Sequence, residues 1–221
     1  CASSRSRLTP GIVIPMDALW WGCIIAPHHG MRREEIFQLK VKHVVRDEET
    51  GIWYFDLKTD EDLQLKEDDH PDQPSRRYVP LHDNLLKLGF IERRVKGRSQ
   101  EEQLFPEIPV GNDAGTWGAA PGRTFSRLKI EAGFRSELDF HAFRHSVCTL
   151  LYRAEVFLPH AEELVGHASQ ARKSTFAAYN HGQTLRALKA AIDKLVIPID
   201  IDRILIAIAK APTAATFDNE G

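Results

Sequence analysis

The stretch from residue 121 to residue 195 constrains the fold most, because its apolar residues recur at helical spacing with few interruptions. One helix is predicted at residues 140–153. A second, shorter helix is predicted at residues 159–165, where Gly166 is the expected C-cap. The apolar stripe of the first helix consists of Phe140, Phe143, Val147, Leu150 and Leu151. The C-terminal half is therefore expected to pack as helices.

Four polar residues accompany these helices, in the order His141, Arg144, His167 and Tyr179. A helix places His141 and Arg144 on one face, because they are three positions apart, and both can then reach one ligand. Arginine grips phosphate with a planar fork, histidine transfers protons near neutral pH, and tyrosine can act as a nucleophile. Together these residues could hold and attack a phosphodiester without a metal, which points to chemistry on nucleic acid.

The rest of the chain predicts further helices and one small sheet. Helices are expected at residues 15–26, 31–40, 83–94 and 200–210, with Asp83 as the N-cap of the third. Strands are expected at residues 41–45, 52–57 and 77–81. The predicted fold class is therefore mainly α with a small three-stranded antiparallel β-sheet.

Composition bounds the functional classes without selecting one. The chain has 221 residues, of which 43% are hydrophobic, and this suffices for a sizeable core. A formal net charge of −2 argues against binding a polyanion through overall charge. Charge is uneven, however: residues 60–72 hold seven acids and one lysine, whereas residues 119–190 hold ten basic and six acidic residues. Local binding to DNA is therefore permitted.

Cysteine usage and hydropathy exclude other classes. The three cysteines, Cys1, Cys23 and Cys148, are far apart, so neither a disulfide framework nor a zinc site is predicted. No apolar run is long enough to span a bilayer, and no signal peptide opens the chain. The start at Cys1, without a methionine, is typical of a fragment of a longer protein.

With these motifs the sequence resembles the tyrosine recombinases, the phage-integrase family of site-specific DNA recombinases. That family shows H-x-x-R, then a Gly-His pair, then the nucleophilic tyrosine, commonly followed by x-His. The matching positions here are His141 and Arg144, Gly166 and His167, and Tyr179 and His181. The resemblance covers roughly residues 10–195, although the twelve positions from His167 to Tyr179 exceed the usual family spacing.

Two upstream motifs extend the resemblance. The family's first arginine lies in a G-[LM]-R-x-x-E helix start, which residues 30–35 match with Arg32 and Glu35. The family's lysine lies on a β-hairpin that precedes a strand ending in R-x-V-P-L. Lys58 and residues 77–81 match that pattern.

The resemblance implies a catalytic domain at residues 1–198, followed by a C-terminal helix and tail at residues 199–221. That segment is expected to dock on its own domain or on a neighbouring protomer. Catalytic roles are implied for Arg32, Lys58, His141, Arg144, His167 and Tyr179, with Glu35 in support. Tyr179 would attack phosphorus, and Tyr152, the rival nucleophile, is expected in the core because it follows an apolar run.

The implied function is site-specific cleavage and rejoining of double-stranded DNA through a 3′-phosphotyrosyl intermediate, with no cofactor and no metal. The implied partners are DNA and further copies of the chain, as a tetramer when two sites are synapsed, with no membrane. The expected location is the bacterial cytoplasm, on the nucleoid when DNA is bound.

Two alternatives remain open, and a third is disfavoured. A catalytically inactive DNA-binding module of the same fold would share the motifs. A type IB topoisomerase shares the chemistry, although it typically has Lys where His141 stands. A zinc protease is disfavoured, because His141 and His145 have the H-x-x-x-H spacing but Ala142 replaces the catalytic Glu.

Overall fold

The computed structural model describes residues 17–65, 75–108, 116–167 and 183–210. Within these ranges the helices are α1 (Ala18–His29), α2 (Arg33–Phe37), α3 (Asp83–Lys87), α4 (Phe90–Arg94), α5 (Ala119–Glu131), α6 (Ala142–Arg153), α7 (Leu158–Val165), α8 (Leu185–Ile192) and α9 (Ile201–Lys210). The strands are β1 (Val44–Arg46), β2 (Trp53–Asp56) and β3 (Tyr78–Pro80). The predicted fold class is confirmed.

The sheet is a simple antiparallel meander in the order β1-β2-β3. Val44 pairs with Phe55, and Phe55 pairs in turn with Val79, so these apolar side chains share one face. All three are buried, with 5% or less of their surface exposed. The sheet therefore covers one side of the core.

The predicted helix at residues 83–94 is in fact two helices. Gly89, with a φ of 74°, lies between α3 and α4 in the left-handed region, which glycine adopts readily and which interrupts a helix. The prediction of Asp83 as N-cap was also wrong. The N-cap is His82, whose ring nitrogen accepts a hydrogen bond from the backbone N–H of Asn84 at 3.1 Å.

The core is built around large aromatic side chains from the N-terminal half of the chain. Trp21 of α1 packs edge-on against Phe90 of α4, with ring centroids 5.0 Å apart, and Phe55 of β2 contacts the same ring. Phe37 of α2 contacts Phe105 in the segment after α4. All five side chains are fully buried. Burial of a side chain of this size contributes about 1.5–3 kcal/mol each.

Three buried histidines join the end of α1 to the start of α3. His28 and His29 each point one ring nitrogen, Nδ1, at a carbonyl of their own helix, those of Ile24 and Ile25. The second nitrogen, Nε2, of His28 contacts the side-chain amide of Asn84, and that of His29 accepts from the backbone N–H of His82. These contacts fix the end of α1, which leads directly into the candidate site.

The C-terminal helix α9 packs against the same core. Ile201 is 8% exposed, and Ile204, Leu205 and Ile208 are partly buried against the core residues. Within the described parts of the chain, no helix is both long and apolar enough to cross a membrane.

Candidate active site

The first part of the site is the turn between α1 and α2. Gly30 ends α1 with a φ of 63°, and a Cβ there would lie 3.1 Å from methyl carbons of Val147 on α6 and Val165 on α7. This close approach brings the start of α2 against both helices. Glu35 then accepts two hydrogen bonds from Arg32, one from its backbone N–H and one from Nη1, both at 2.8 Å.

The neighbouring Arg33 points elsewhere. Its guanidinium lies against Gly118 and Gly122 at the start of α5, where any added Cβ would collide with it. Glu34 supports the same helix start by accepting hydrogen bonds from the backbone N–H groups of Trp117 and Gly118. Arg32, not Arg33, is therefore the arginine that faces α6 and α7.

Arg144 is a buried guanidinium on α6, with 3% of its surface exposed. Its Nη1 donates to the carbonyl oxygen of Gly30 at 2.8 Å, and its Nη2 donates to that of Gly166 at 3.2 Å. Arg32 also donates to the Gly166 carbonyl, from Nη2 at 3.3 Å. The structure thus brings together two arginines that are far apart in the sequence, on one backbone oxygen.

The turn after α7 presents His167 to this pair. Gly166 has a φ of 66° and ends the helix as predicted, and the backbone N–H of His167 donates to the Glu162 carbonyl at 2.9 Å. The His167 side chain is exposed. Partial burial, followed by the positive charges of Arg144 and Arg32, lowers its pKa below 6.5. The imidazole is therefore uncharged at neutral pH and can either donate or accept a proton.

His141 lies at the N-terminus of α6, one position before its first helical residue. Its ring is exposed and packs edge-on against that of His145, with centroids 4.9 Å apart. Partial burial, then His145 and Arg144, lower the pKa of His141, so it too is uncharged at neutral pH. His141 also contributes, as the smallest cause, to the lowered pKa of His167, so the two imidazoles lie within range of each other's charge.

Arg77, at the start of β3, is the site residue whose importance sequence reasoning missed. It is 1% exposed and forms a two-pronged contact with the Glu35 carboxylate, at 3.2 and 2.9 Å. Burial would raise the pKa of Glu35, but Arg77 and then Arg32 outweigh burial and hold it at about 2. Its only sequence signal was its place at the head of the R-x-V-P-L motif.

Lys58 lies two residues beyond the end of β2. Its position is fixed by Asp56, which accepts hydrogen bonds from the backbone N–H groups of Lys58 and Thr59 at 2.7 and 3.0 Å. The ammonium lies 5.3 Å from the centroid of the Tyr78 ring. The backbone N–H of Leu57 donates to the Arg77 carbonyl at 3.0 Å. Lys58 therefore follows directly after a residue that is hydrogen-bonded to Arg77.

Tyr179 and His181 lie outside the described residues. Tyr152 was predicted in the core, and this prediction was wrong: 84% of it is exposed. Val147 and Leu151 form the buried stripe of α6, and the next residue points away from it. Tyr152 instead lines a cavity of about 600 Å³ that also reaches His167.

The electrostatic character of the site is positive. Arg32 and Arg77 bind the carboxylate of Glu35, and Arg144 lies within range of its negative charge. Burial, then Arg32 and Arg77, lower the pKa of Arg144 to about 10, so it remains charged at neutral pH. Within the described ranges no group of three or more His, Cys, Asp or Glu residues could hold a metal ion. The arrangement is suited to an anion with several oxygens, such as a phosphate.

Comparison with known proteins assigns the chain to a family. A model of the phage integrase family matches residues 22–186 of the 221. The chain belongs to the phage integrase family. The match extends from α1 to the start of α8 and contains the motifs from Arg32 to Tyr179. No protein of curated function matches the chain.

Solved structures resemble this phage integrase family member in fold. The integrase from mycobacterium phage Brujita has 18% sequence identity and a TM-score of 0.50, over 91% of this chain and 65% of that one. The XerH site-specific recombinase bound to difH substrate has 27% identity and a TM-score of 0.43, over 68% and 40% of the two chains. The Tn1549 transposon integrase with circular intermediate DNA has 18% identity and a TM-score of 0.45, over 78% and 56%. The chain thus spans about 40 to 65% of the length of these structures.

Proposed function

We propose that the protein is a tyrosine-type site-specific DNA recombinase that cleaves and rejoins DNA strands through a 3′-phosphotyrosyl intermediate. The observation that carries this proposal is the convergence of Arg32 and Arg144 on the Gly166 carbonyl. Two guanidinium groups held at one point form a binding site for two oxygens of the same phosphate. Membership of the phage integrase family supports the same substrate class.

Toward the residues that the structure describes, the two arginines leave N–H donors unused that a ligand could take. Each guanidinium has five N–H donors. Arg32 uses one Nη1 donor on Glu35 and one Nη2 donor on Gly166, and Arg144 uses one on each of two carbonyls. The remaining donors would hold the non-bridging oxygens and stabilise the extra negative charge of the pentacoordinate transition state. Such preorganised charge can accelerate a reaction without a metal.

The remaining residues complete the reaction. The Tyr179 oxygen would attack phosphorus and form the P–O bond to the enzyme, while the bond from phosphorus to the 5′-oxygen breaks. His141, uncharged at neutral pH, would take the phenol proton, and His167 would donate a hydrogen bond to the phosphate. Lys58 would give its proton to the leaving 5′-oxygen. Attack by a 5′-hydroxyl on the phosphotyrosine reverses these steps and rejoins the strand.

Recombination joins two DNA sites, so the working form is proposed to be a homo-oligomer on double-stranded DNA, a tetramer when two sites are synapsed. A DNA substrate also favours a location in the cytoplasm, on the nucleoid. Two of the solved relatives are complexes with a DNA substrate or DNA intermediate, which agrees with this proposal.

The experiment that tests the function is covalent trapping on DNA. The protein is incubated with a pool of duplexes of randomised sequence, each with one nick, so that cleavage close to the nick releases a short strand. Rejoining is then blocked, and the proposed enzyme accumulates as a DNA adduct that survives denaturation. Peptide mapping should locate the adduct on Tyr179, at a 3′-phosphate, in the presence or absence of a chelator.

The same assay separates the alternatives. A catalytically inactive DNA-binding module would retain duplexes from the pool but form no adduct. A type IB topoisomerase would form the adduct and relax supercoiled plasmid without sequence preference. A recombinase should select a sequence from the pool and exchange strands between two copies of it.

A further inference from the structure

Arg77 is buried at the start of β3 and donates hydrogen bonds to three parts of the chain. Its Nη1 and Nη2 donate to both oxygens of Glu35, its Nε donates to the Leu164 carbonyl at 3.0 Å, and Nη1 also donates to the Ser75 carbonyl at 2.8 Å. We propose that Arg77 is a positioning residue that neutralises Glu35 and so leaves the positive charge of Arg32 available to the DNA phosphate. This proposal rests on the proposed function.

The charge count of the site explains why a third arginine is needed. Glu35 accepts two hydrogen bonds from Arg32 and so fixes the orientation of the Arg32 guanidinium. A carboxylate that paired with Arg32 alone would also cancel the positive charge of that guanidinium. Arg77 binds the same carboxylate with both Nη atoms. The three arginines and one glutamate then leave a net charge of about +2 at the site. Glu35 can therefore orient Arg32 without neutralising the phosphate pocket.

The position of Arg77 also connects the elements that carry the other proposed catalytic groups. The Leu164 carbonyl belongs to the last turn of α7, two residues before Gly166, whose carbonyl both pocket arginines contact. On the other side, the Arg77 carbonyl accepts a hydrogen bond from Leu57, the residue before Lys58. A shift of Arg77 would therefore move the His167 turn and the Lys58 strand relative to each other.

A purely structural role is the alternative explanation for Arg77. A buried ion pair contributes little net stability, and an apolar pair of similar volume is often as stable. Structural and positioning roles differ in one measurable respect, the charge that His167 senses. Besides burial, the positive charges of Arg144, Arg32 and Arg77 lower the pKa of His167.

The titration of His167 therefore tests the proposal without DNA. It is followed by NMR of the labelled ring, assigned with the His167→Gln variant. In Arg77→Met the site loses one positive charge while Glu35 keeps its negative charge, so the pKa of His167 should rise. In the double variant Glu35→Gln with Arg77→Met the net charge returns to that of the wild type, and the pKa should return with it.

The rate of adduct formation on the nicked duplex pool provides the second readout. Arg77→Met should lower the single-turnover rate by about 10²-fold, and the double variant should recover about tenfold or more of that loss. Arg77→Lys keeps the charge but not the fork, so it should keep the pKa of His167 and lose part of the rate. The matched control is Arg94→Met, which removes another buried arginine, paired with Glu107 at 2.7 Å. It should lower stability only.

The outcomes separate this proposal from the proposed function. The role of Arg77 is overturned if the Arg77→Met protein folds, the pKa of its His167 is unchanged, and its adduct rate stays within about twofold of wild type. A double variant as slow as the single one overturns it too. If Arg77→Met does not fold, the comparison is made between Glu35→Gln and the double variant. Glu35→Gln should lower the pKa of His167, and the double variant should raise it again. An equal His167 pKa in these two variants rejects the proposal. A wild-type protein without any adduct rejects the recombinase function, while the titration still decides the role of Arg77.

Discussion

His28 should make the free energy of unfolding depend on pH between about 6.5 and about 4. Its ring is buried with both nitrogens engaged: Nδ1 donates to the Ile24 carbonyl at 2.6 Å, and Nε2 accepts from the Asn84 amide at 3.1 Å. A second ring proton would face the amide donor and find no acceptor. Burial, opposed in part by the Ile24 contact and aided by His82, lowers the pKa of His28 from 6.5 to about 4.

The sign and size of the effect follow from this difference. In the unfolded chain His28 titrates near 6.5, so between pH 6.5 and 4 the unfolded state binds more protons than the folded state. The contribution of His28 to stability is therefore full above pH 6.5, falls as the pH drops, and levels off below about pH 4. At about 1.4 kcal/mol per pH unit, His28 alone accounts for a loss of about 3 kcal/mol. His29, whose pKa burial also lowers, adds to the loss.

Urea unfolding at a series of pH values from 7 to 4 measures this loss. The melting temperature should decrease by about 6–12 °C for each 3 kcal/mol of stability lost. His28→Gln removes the titrating group, so its stability should fall less over the same range. Asn84→Asp offers the second ring proton an acceptor and should also reduce the slope. Charged neighbours near the cluster are Lys189, Asp83 and Asp193, and their salt bridges remain in both variants. A wild-type stability that is flat between pH 6.5 and 4 would refute the reasoning, as would an unchanged slope in His28→Gln.

Other predictions concern the site. Tyr179→Phe removes one oxygen and should abolish the covalent adduct while leaving DNA affinity near that of the wild type. If the adduct persists and maps to the exposed Tyr152, then Tyr152 and not Tyr179 is the nucleophile. Arg32→Ala and Arg144→Ala should each lower the adduct rate by about 10² or more, measured in single turnover, because each removes a preorganised donor. Glu35→Gln should destabilise the fold at pH 7 by about 3–5 kcal/mol, since it leaves Arg77 buried without a countercharge. Because Arg77 and Arg32 hold the Glu35 pKa at about 2, wild-type stability should also fall between about pH 4.5 and 2. A Glu35→Gln protein whose free energy of unfolding decreases by the same amount over this pH range would contradict the prediction. Adduct formation should continue in excess chelator, because guanidinium groups supply the positive charge.

The helices and their ends follow closely from local chemistry. Gly166 could be predicted as a C-cap because glycine adopts the left-handed conformation that ends α7, and His167 then had to follow the turn. Gly89 offered the same signal, but it stood inside an apolar pattern that continued on both sides, so one helix was predicted where two exist. Similarly, α1 continues past Pro27 to His29, although a proline usually marks a helix boundary.

The contacts that build the site were beyond sequence reasoning alone. Arg32 and Arg144 could be paired only through the family resemblance, because no local pattern links residues that far apart. The burial of Arg77 had no local signal at all, since an arginine at a strand start is usually solvated. The exposure of Tyr152 was likewise hidden, because an apolar run on α6 does not say which of its residues turns away from the core.

The Gly166 carbonyl that Arg32 and Arg144 share makes the phosphate pocket a product of the complete chain. A break between α4 and α5 would leave Arg32, Glu35 and Arg77 in one fragment and Arg144 and His167 in the other. Neither fragment would contain both halves of the pocket, so neither should be able to cut DNA. If the proposed function holds, the protein is suited to fragment complementation: two inert pieces, fused to domains that associate on a signal, would regain the proposed DNA cleavage only when they meet.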